Sequence, residues 1–394
     1  MLISLAYLFI LGIILAEICE KLRIPSLIGM LLAGILLGPY MLNLLSPELL
    51  SISLELRQIA LIVILMRAGL ALDFGALKRA GKPAIFICFV PACFEIAGML
   101  IIAPPLLGIS LLDAAIMGSV VAAVSPAVVV PKMLHLMENR IGTDKAIPQM
   151  IMAGGSVDDI FVIVLFSIFT TLGKGEGVDF TQFANIPISI VTGVVLGVVT
   201  GYILLKIFKF FHLRDSLKLL VIMSVAFIFL KLESTLSHTV AISGLLAVMI
   251  LGCTILKGNA PLAVRLSSKF SKVWVAAQIL LFVLVGATVN IEYAASAGVN
   301  AVLVLLFVLV WRMVGVFVST LAGNFNLKER IFCMIAYMPK ATVQAAIGSL
   351  PLSMGLSCGD IVLTVAVLSI LITAPLGAFG IDLSYKRLLG GGER

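Results

Sequence analysis

A polytopic bundle of about thirteen membrane-spanning α-helices, built as an inverted repeat around two interrupted helices, is the all-α fold class this sequence predicts. Three observations carry it: more apolar residue than a soluble domain can cover, thirteen apolar runs of spanning length, and prolines inside two of those runs seven spans apart. Hydrophobic residues make up 61% of the 394 residues and charged residues 12%, with a mean hydropathy of +1.22. Soluble domains carry about 45–50% and about 25% respectively. The Phe and Met residues fall in long runs rather than amphipathic stripes, which excludes a peripheral protein lying on the bilayer. Net charge is +7, yet the Lys and Arg sit in short clusters between apolar runs, where membrane orientation explains them and nucleic-acid binding is not implied. The six cysteines (Cys19, Cys88, Cys93, Cys253, Cys333, Cys358) have no metal-site spacing and read as free thiols.

Each crossing needs about 20 mostly apolar residues. The runs that qualify are 2–18, 26–45, 56–72, 83–106, 111–133, 147–172, 187–210, 216–232, 238–256, 273–290, 298–322, 331–350 and 360–380. The first lacks a small-residue cleavage site and reads as a retained helix. Connections are too short for a soluble domain. Basic residues test the threading, because short cytoplasmic loops carry the excess of Lys and Arg. One alternate set of connections holds Lys21, Lys78, Lys82, Lys132, Arg140, Lys145, Lys206, Lys209, Arg214, Lys257, Arg265, Lys269, Lys272, Lys328, Arg330, Lys386 and Arg387 among others. The other set holds only Arg57, Lys174 and Lys231, with acids such as Glu48, Asp113, Glu292 and Asp360. The N-terminus is therefore expected outside and the C-terminus in the cytoplasm of a multi-pass cell-membrane protein.

Charged groups at membrane depth cost about 2.5–3.5 kcal/mol each on insertion scales and are kept where they pair or serve a pathway. The sixth run carries Gly154-Gly155-Ser156-Val157-Asp158-Asp159, two adjacent carboxylates in mid-span with no packing use. The fifth run contains Val124-Ser125-Pro126, and the twelfth Met338-Pro339-Lys340. Pro126 and Pro339 each remove a backbone donor and disfavour helix at the preceding residue. An offset of seven spans makes the two interrupted helices run in opposite directions, the footprint of an inverted repeat whose half-helix ends meet near the midplane. Lys340 is placed to neutralise the negative half-helix ends. Glu95 in the fourth run and Arg312 in the eleventh share that offset and are expected to pair, in a structural or modulating role, since either alone is costly. Gly34 and Gly38, and Gly193, Gly197 and Gly201, form small-residue faces suited to close helix contact, within one chain or between two. Nothing in the sequence supplies a nucleophile with its base, a metal cluster or a nucleotide loop, so neither an enzyme nor a cofactor is expected.

The stretches Ala123-Val124-Ser125-Pro126-Ala127-Val128-Val129-Val130-Pro131, Ser156-Val157-Asp158-Asp159 and Met338-Pro339-Lys340-Ala341-Thr342-Val343-Gln344-Ala345-Ala346-Ile347-Gly348 resemble the monovalent cation/proton antiporter superfamily, and within it the NHA branch of sodium/proton exchangers. The resemblance implies the antiporter fold, with a core domain over approximately 56–172 and 273–380 and a dimerisation scaffold over approximately 1–55 and 187–256. It also implies a homodimer and exchange of Na⁺ or Li⁺ for H⁺ by an elevator motion of the core. By the same likeness Asp159 is the shared cation and proton carrier and Asp158 its neighbour at the Na⁺ site, with Ser125 and Ser156 as polar ligands. Arg312 matches a basic position that is lysine in electrogenic relatives and arginine in many electroneutral ones. The acid that partners this position in the NHA branch aligns with Pro91 here, and Glu95 lies one turn further on. A K⁺/H⁺ antiporter and a sodium/organic-anion symporter of similar architecture stay open as alternatives.

Overall fold

The computed structural model describes residues 1–22, 24–71, 78, 81–173, 180–211, 213–236, 242–289 and 291–390, and every regular element among them is helical. In chain order they are α1 (Leu2–Lys21), α2 (Ser26–Leu37), α3 (Pro47–Ser51), α4 (Ser53–Ala71), α5 (Lys82–Phe86) and α6 (Val90–Leu107). Next come α7 (Leu111–Val121), α8 (Pro126–Glu138), α9 (Ile147–Gly173), α10 (Phe180–Phe210), α11 (Asp215–Leu236) and α12 (Gly244–Gly258). The last are α13 (Ala260–Ala287), α14 (Ile291–Leu321), α15 (Leu327–Ala336), α16 (Thr342–Ile347), α17 (Leu350–Ser353) and α18 (Gly359–Leu388). Among the described residues eight helices are long and apolar enough to cross a membrane, and four shorter apolar helices accompany them. Each of the thirteen apolar runs contains helix among the described residues; the fourth is broken at 87–89 between α5 and α6, and the fifth and twelfth are interrupted by longer non-helical stretches.

The divisions have local causes. α7 opens on a capping box in which Ser110 Oγ accepts from Asp113 N while Asp113 accepts from Ser110 N. It stops at Val121, and Pro126 restarts helix at the first position of α8, where a missing N–H costs nothing. α15 opens on a second capping box, Asn326 with Glu329, and stops at Ala336 ahead of Pro339. The chain then crosses 337–341 without helix before α16 begins at Thr342. Ser125 N donates to Pro339 O across 2.7 Å, so the two interruptions meet backbone to backbone.

The chain forms two compact units. One comprises Met1–Ser51, Asp73–Lys174 and Leu281–Arg394. In it α6 packs along α14, α7 lies between α6 and α9, and α18 runs beside α15, α16 and α17. A buried apolar cluster including Ile87, Val129, Met133, Met150, Phe332 and Tyr337 ties α8, α9 and α15 together. α2 approaches the end of α13 so closely that a Cβ at Gly34 would collide with Val283 O and one at Gly286 with Leu31 O. The second unit comprises Ile52–Leu72 and Gly175–Leu280, where α12 is flanked by α4, α10 and α11. Gly193, Gly197 and Gly201 of α10 face Ser243, Ala247 and Thr254 at and within α12, and Gly69 of α4 faces Met249. Both glycine faces are therefore used inside the chain, where they let helix backbones approach without a hydrophobic driving force from the lipid.

Gly34→Leu should lower the thermal midpoint by several degrees in detergent, since forced overpacking costs about 1–3 kcal/mol. Gly298→Leu, at a glycine with open space around it, should leave the midpoint nearly unchanged; equal effects would contradict the packing described.

Candidate functional site

An interrupted helix leaves backbone groups that lipid cannot satisfy, so each must find a protein partner. At the first interruption five such groups have partners elsewhere in the fold. Val121 O accepts from Lys340 Nζ at 2.7 Å and from Gln344 Nε2 at 3.0 Å. Ala122 O accepts from Arg312 Nη1, and Ala123 O accepts from Gln344 Nε2 at 2.9 Å. On the amide side, Val124 N donates to Asp158 Oδ2 at 3.0 Å and Ser125 N to Pro339 O. The carbonyl end of α7 is the negative end of a half-helix dipole, and one cation and one amide from the second interruption meet it directly. At the second interruption Tyr337 O accepts from Arg312 Nε at 2.8 Å, and Lys340 N donates to Thr373 Oγ1 of α18 at 2.9 Å. The ring of Pro339 lies against Gly377, where any Cβ would collide with it.

The same residues form a buried charge cluster. Arg312 Nη2 reaches Asp158 Oδ2 at 2.8 Å and Arg312 Nη1 reaches Glu95 Oε2 at 2.8 Å. The other oxygen of Glu95 lies 2.6 Å from Lys340 Nζ. All four side chains are at most 1% exposed. Two acids and two bases thus balance. The cluster makes use of three separate nitrogens of one planar guanidinium, a geometry lysine does not reproduce.

Asp159 is different. It is 6% exposed, and among the described residues no ion pair or hydrogen bond engages it, whereas the other three buried carboxylates are all ion-paired: Glu95, Asp158 and Glu329, the last with Lys145 at 2.8 Å. Several neutral oxygens along the two interruptions are also buried without a hydrogen-bond partner: Ser125 Oγ, Thr342 Oγ1 and Gln344 Oε1, together with Asp158 Oδ1 and Asp159 Oδ1. Such groups are rare in folded proteins and call for a ligand or a chemical role. Ser156 is on α9 two residues before Asp158, and its side chain lies outside the described residues.

The structure thus brings Asp158, Glu95, Arg312, Lys340, Pro126 and Pro339 to one crossing, with Ser125 at its centre and Asp159 next along α9. Gln344, Thr342, Thr373 and Gly377 carry roles the sequence reading did not assign. Gln344 had a signal, being a polar side chain in an apolar run a few residues beyond Lys340. Thr373 had none, being one hydroxyl among several in an apolar helix.

Arg312→Gln should destabilise the protein by about 3–5 kcal/mol, the cost of leaving buried charges unpaired. Arg312→Lys should recover only a minor part, and exchanging Glu95 with Arg312 should not rescue, because the carbonyls of Ala122 and Tyr337 lose their donors either way. Thermal midpoints by size-exclusion chromatography after heating test this; a wild-type midpoint for Arg312→Lys would contradict the account.

Comparison with known proteins gives the lineage. Residues 5–383 match the family described as sodium/hydrogen exchanger, transmembrane. The human sodium/hydrogen exchanger 9B2 is 37% identical over 380 residues, covering 93% of this chain and 70% of its own length. The human sodium/hydrogen exchanger 9B1 is 32% identical over 413 residues, covering 98% of this chain and 78% of its own length. The sodium proton antiporter MjNhaP1 from Methanocaldococcus jannaschii, solved at pH 8, shares the fold with a TM-score of 0.85 at 20% sequence identity, over 99% of each chain. With a family match over nearly the whole chain and relatives of this identity, the chain belongs to the sodium/hydrogen exchanger family of transmembrane proteins.

Proposed function

We propose that this protein is a secondary active transporter that exchanges Na⁺ or Li⁺ for H⁺ across the cell membrane, with the Asp159 carboxylate as the shared cation and proton site. The observation that carries this reading is that Asp159 is the one buried carboxylate among the described residues without an opposite charge or a hydrogen bond. Family membership and the names of the relatives support the choice of ions.

The chemistry follows from competition. A monovalent hard cation takes several oxygen ligands, and Asp159, Asp158 Oδ1, Ser125 Oγ, Thr342 Oγ1 and Gln344 Oε1 are oxygens not otherwise engaged. Ser156 would add a hydroxyl. A proton on Asp159 removes the charge that attracts the cation, so the two exclude each other. Loaded with either one, the site is neutral. Empty, it is a bare carboxylate whose desolvation costs several kcal/mol, which bars the unloaded site from crossing and couples the two fluxes. The core moves as an elevator against a dimerisation scaffold, in a homodimer whose N-terminus is outside and whose C-terminus is cytoplasmic, as the loop charges favour.

Stoichiometry follows from the charge cluster. Asp158 shares Arg312 with Glu95, and Lys340 holds the other oxygen of Glu95. With two acids set against two bases, Asp158 keeps its charge throughout and only Asp159 exchanges a proton. The exchange is one for one and moves no net charge.

In proteoliposomes, Asp159→Asn should abolish Na⁺- and Li⁺-induced dequenching of a pH dye, and retained activity would refute the assignment. Wild-type rates should not change when the membrane potential is clamped at different values. On the acid side of the activity profile, half-saturating Na⁺ should rise about ten-fold per pH unit, as expected for one competing proton. A rise near one hundred-fold, or rates that follow the potential, would point to two protons.

A further inference from the structure

A cavity of about 460 Å³ lies away from the ion site, at the opposite end of α7 from the interruption. Ser110 and Asp113 form one wall. Val121, where α7 ends, is eight residues or roughly 12 Å further along the axis. Asn300 of α14 and the Ser357–Cys358 turn ahead of α18 form the facing walls, and Leu107 and Ile361 supply apolar surface. Asn300 Nδ2 donates to Leu106 O at 3.1 Å, tying α14 to the end of α6.

The lining is polar and its charge is one-sided. Among the described residues no Lys, Arg or His borders the cavity, and Asp113 is the one carboxylate that does. One oxygen of that carboxylate, Oδ2, takes both donors of Ser110, at 3.3 Å from N and 2.7 Å from Oγ. Burial and the neighbouring Asp113 push the Cys358 thiol up to about 12, so it stays neutral. The hydroxyls of Ser110 and Ser357 and the amide of Asn300 complete the set. The volume is far larger than a bare monovalent ion and falls in the range of small-molecule pockets, about 300–1,000 Å³.

We propose that this cavity is a binding site for a compact organic cation, an alkylammonium or guanidinium group held by the Asp113 carboxylate and the neutral oxygens around it. A bound cation bridges the turn that starts the first interrupted helix to the turn that follows the second. Opening toward the outer face rests on the loop-charge orientation, whereas the ligand class rests on the cavity itself.

Cys358 is a built-in reporter. Two methanethiosulfonates of similar size, one bearing trimethylammonium and one sulfonate, are added to one face of sealed vesicles, and modification of Cys358 is read by peptide mass spectrometry. Rates are normalised to those of a small free thiol. The cationic reagent should modify Cys358 from the outside at least about ten-fold faster than the anionic one, and Asp113→Asn should bring the two within about two-fold. Millimolar guanidinium, added as the free ion, should slow modification in the wild type. Ser357→Phe, which fills the cavity from the wall opposite and leaves the α7 cap intact, should abolish that protection. Na⁺-dependent proton flux on the same vesicles reports that each variant is folded and separates failure here from failure of the ion-exchange reading. Equal normalised rates, no modification of Cys358 by the cationic reagent, a preference that survives Asp113→Asn, access only from the cytoplasmic face, or protection that survives Ser357→Phe would each overturn the proposal.

Discussion

Arg312 is the residue on which the remainder of the structure depends. It lies in a long apolar helix, where a cation at mid-membrane is costly, and it is 1% exposed. Its guanidinium holds Glu95, Asp158 and carbonyls from both interruptions at once. Remove it and Asp158 is left buried with no opposite charge, Glu95 keeps only Lys340, and the carbonyls of Ala122 and Tyr337 lose this donor, each unsatisfied neutral group costing about 1–3 kcal/mol and an unpaired charge more. The interrupted helices are tolerable in lipid because this one fork, with Lys340 and Gln344, takes the carbonyls of Val121, Ala122, Ala123 and Tyr337, while Asp158, Pro339 O and Thr373 take the amides of Val124, Ser125 and Lys340.

That arrangement also explains why the last acid is left over. Two adjacent carboxylates on α9 point about 100° apart, so Asp158 turns into the cluster and Asp159 falls outside it. The local balance of two acids and two bases leaves no third cation for Asp159, and among the described residues nothing else engages it. A group that expensive to bury bare is suited to a partner that comes and goes. The protein's stability and its proposed chemistry thus draw on one network, in which the fixed charges cancel and a single site stays open to exchange.

Much of this was legible in the chain. The apolar runs follow from the length a bilayer imposes, the interruptions from prolines that lack an N–H, and Asp158, Asp159, Glu95, Arg312 and Lys340 from their charge at membrane depth. The pairing was less legible. Glu95 was expected with Arg312, but nothing in the sequence says that its second oxygen faces Lys340 or that Arg312 also holds Asp158, because those contacts join residues 154 to more than 200 positions apart. Gln344 bonding two carbonyls, Thr373 holding Lys340 N, and Gly377 giving room to Pro339 depend on how α16 and α18 pack. Side-chain type does not reveal that. The fifth run reads as one span of 23 residues by hydropathy, yet it is two helices: Pro126 disfavours helix at Ser125 and is suited to the first position of a new one.

The central claim is that one carboxylate holds either a metal cation or a proton. The direct measurement is calorimetric titration of Na⁺ into the purified protein in buffers of differing ionisation enthalpy, at a pH on the acid side of the activity profile. The dependence of the heat on the buffer gives the protons released per cation bound. The account predicts a value approaching one for the wild type and no binding heat for Asp159→Asn. Cation binding without proton release, or release that persists in Asp159→Asn, would contradict it.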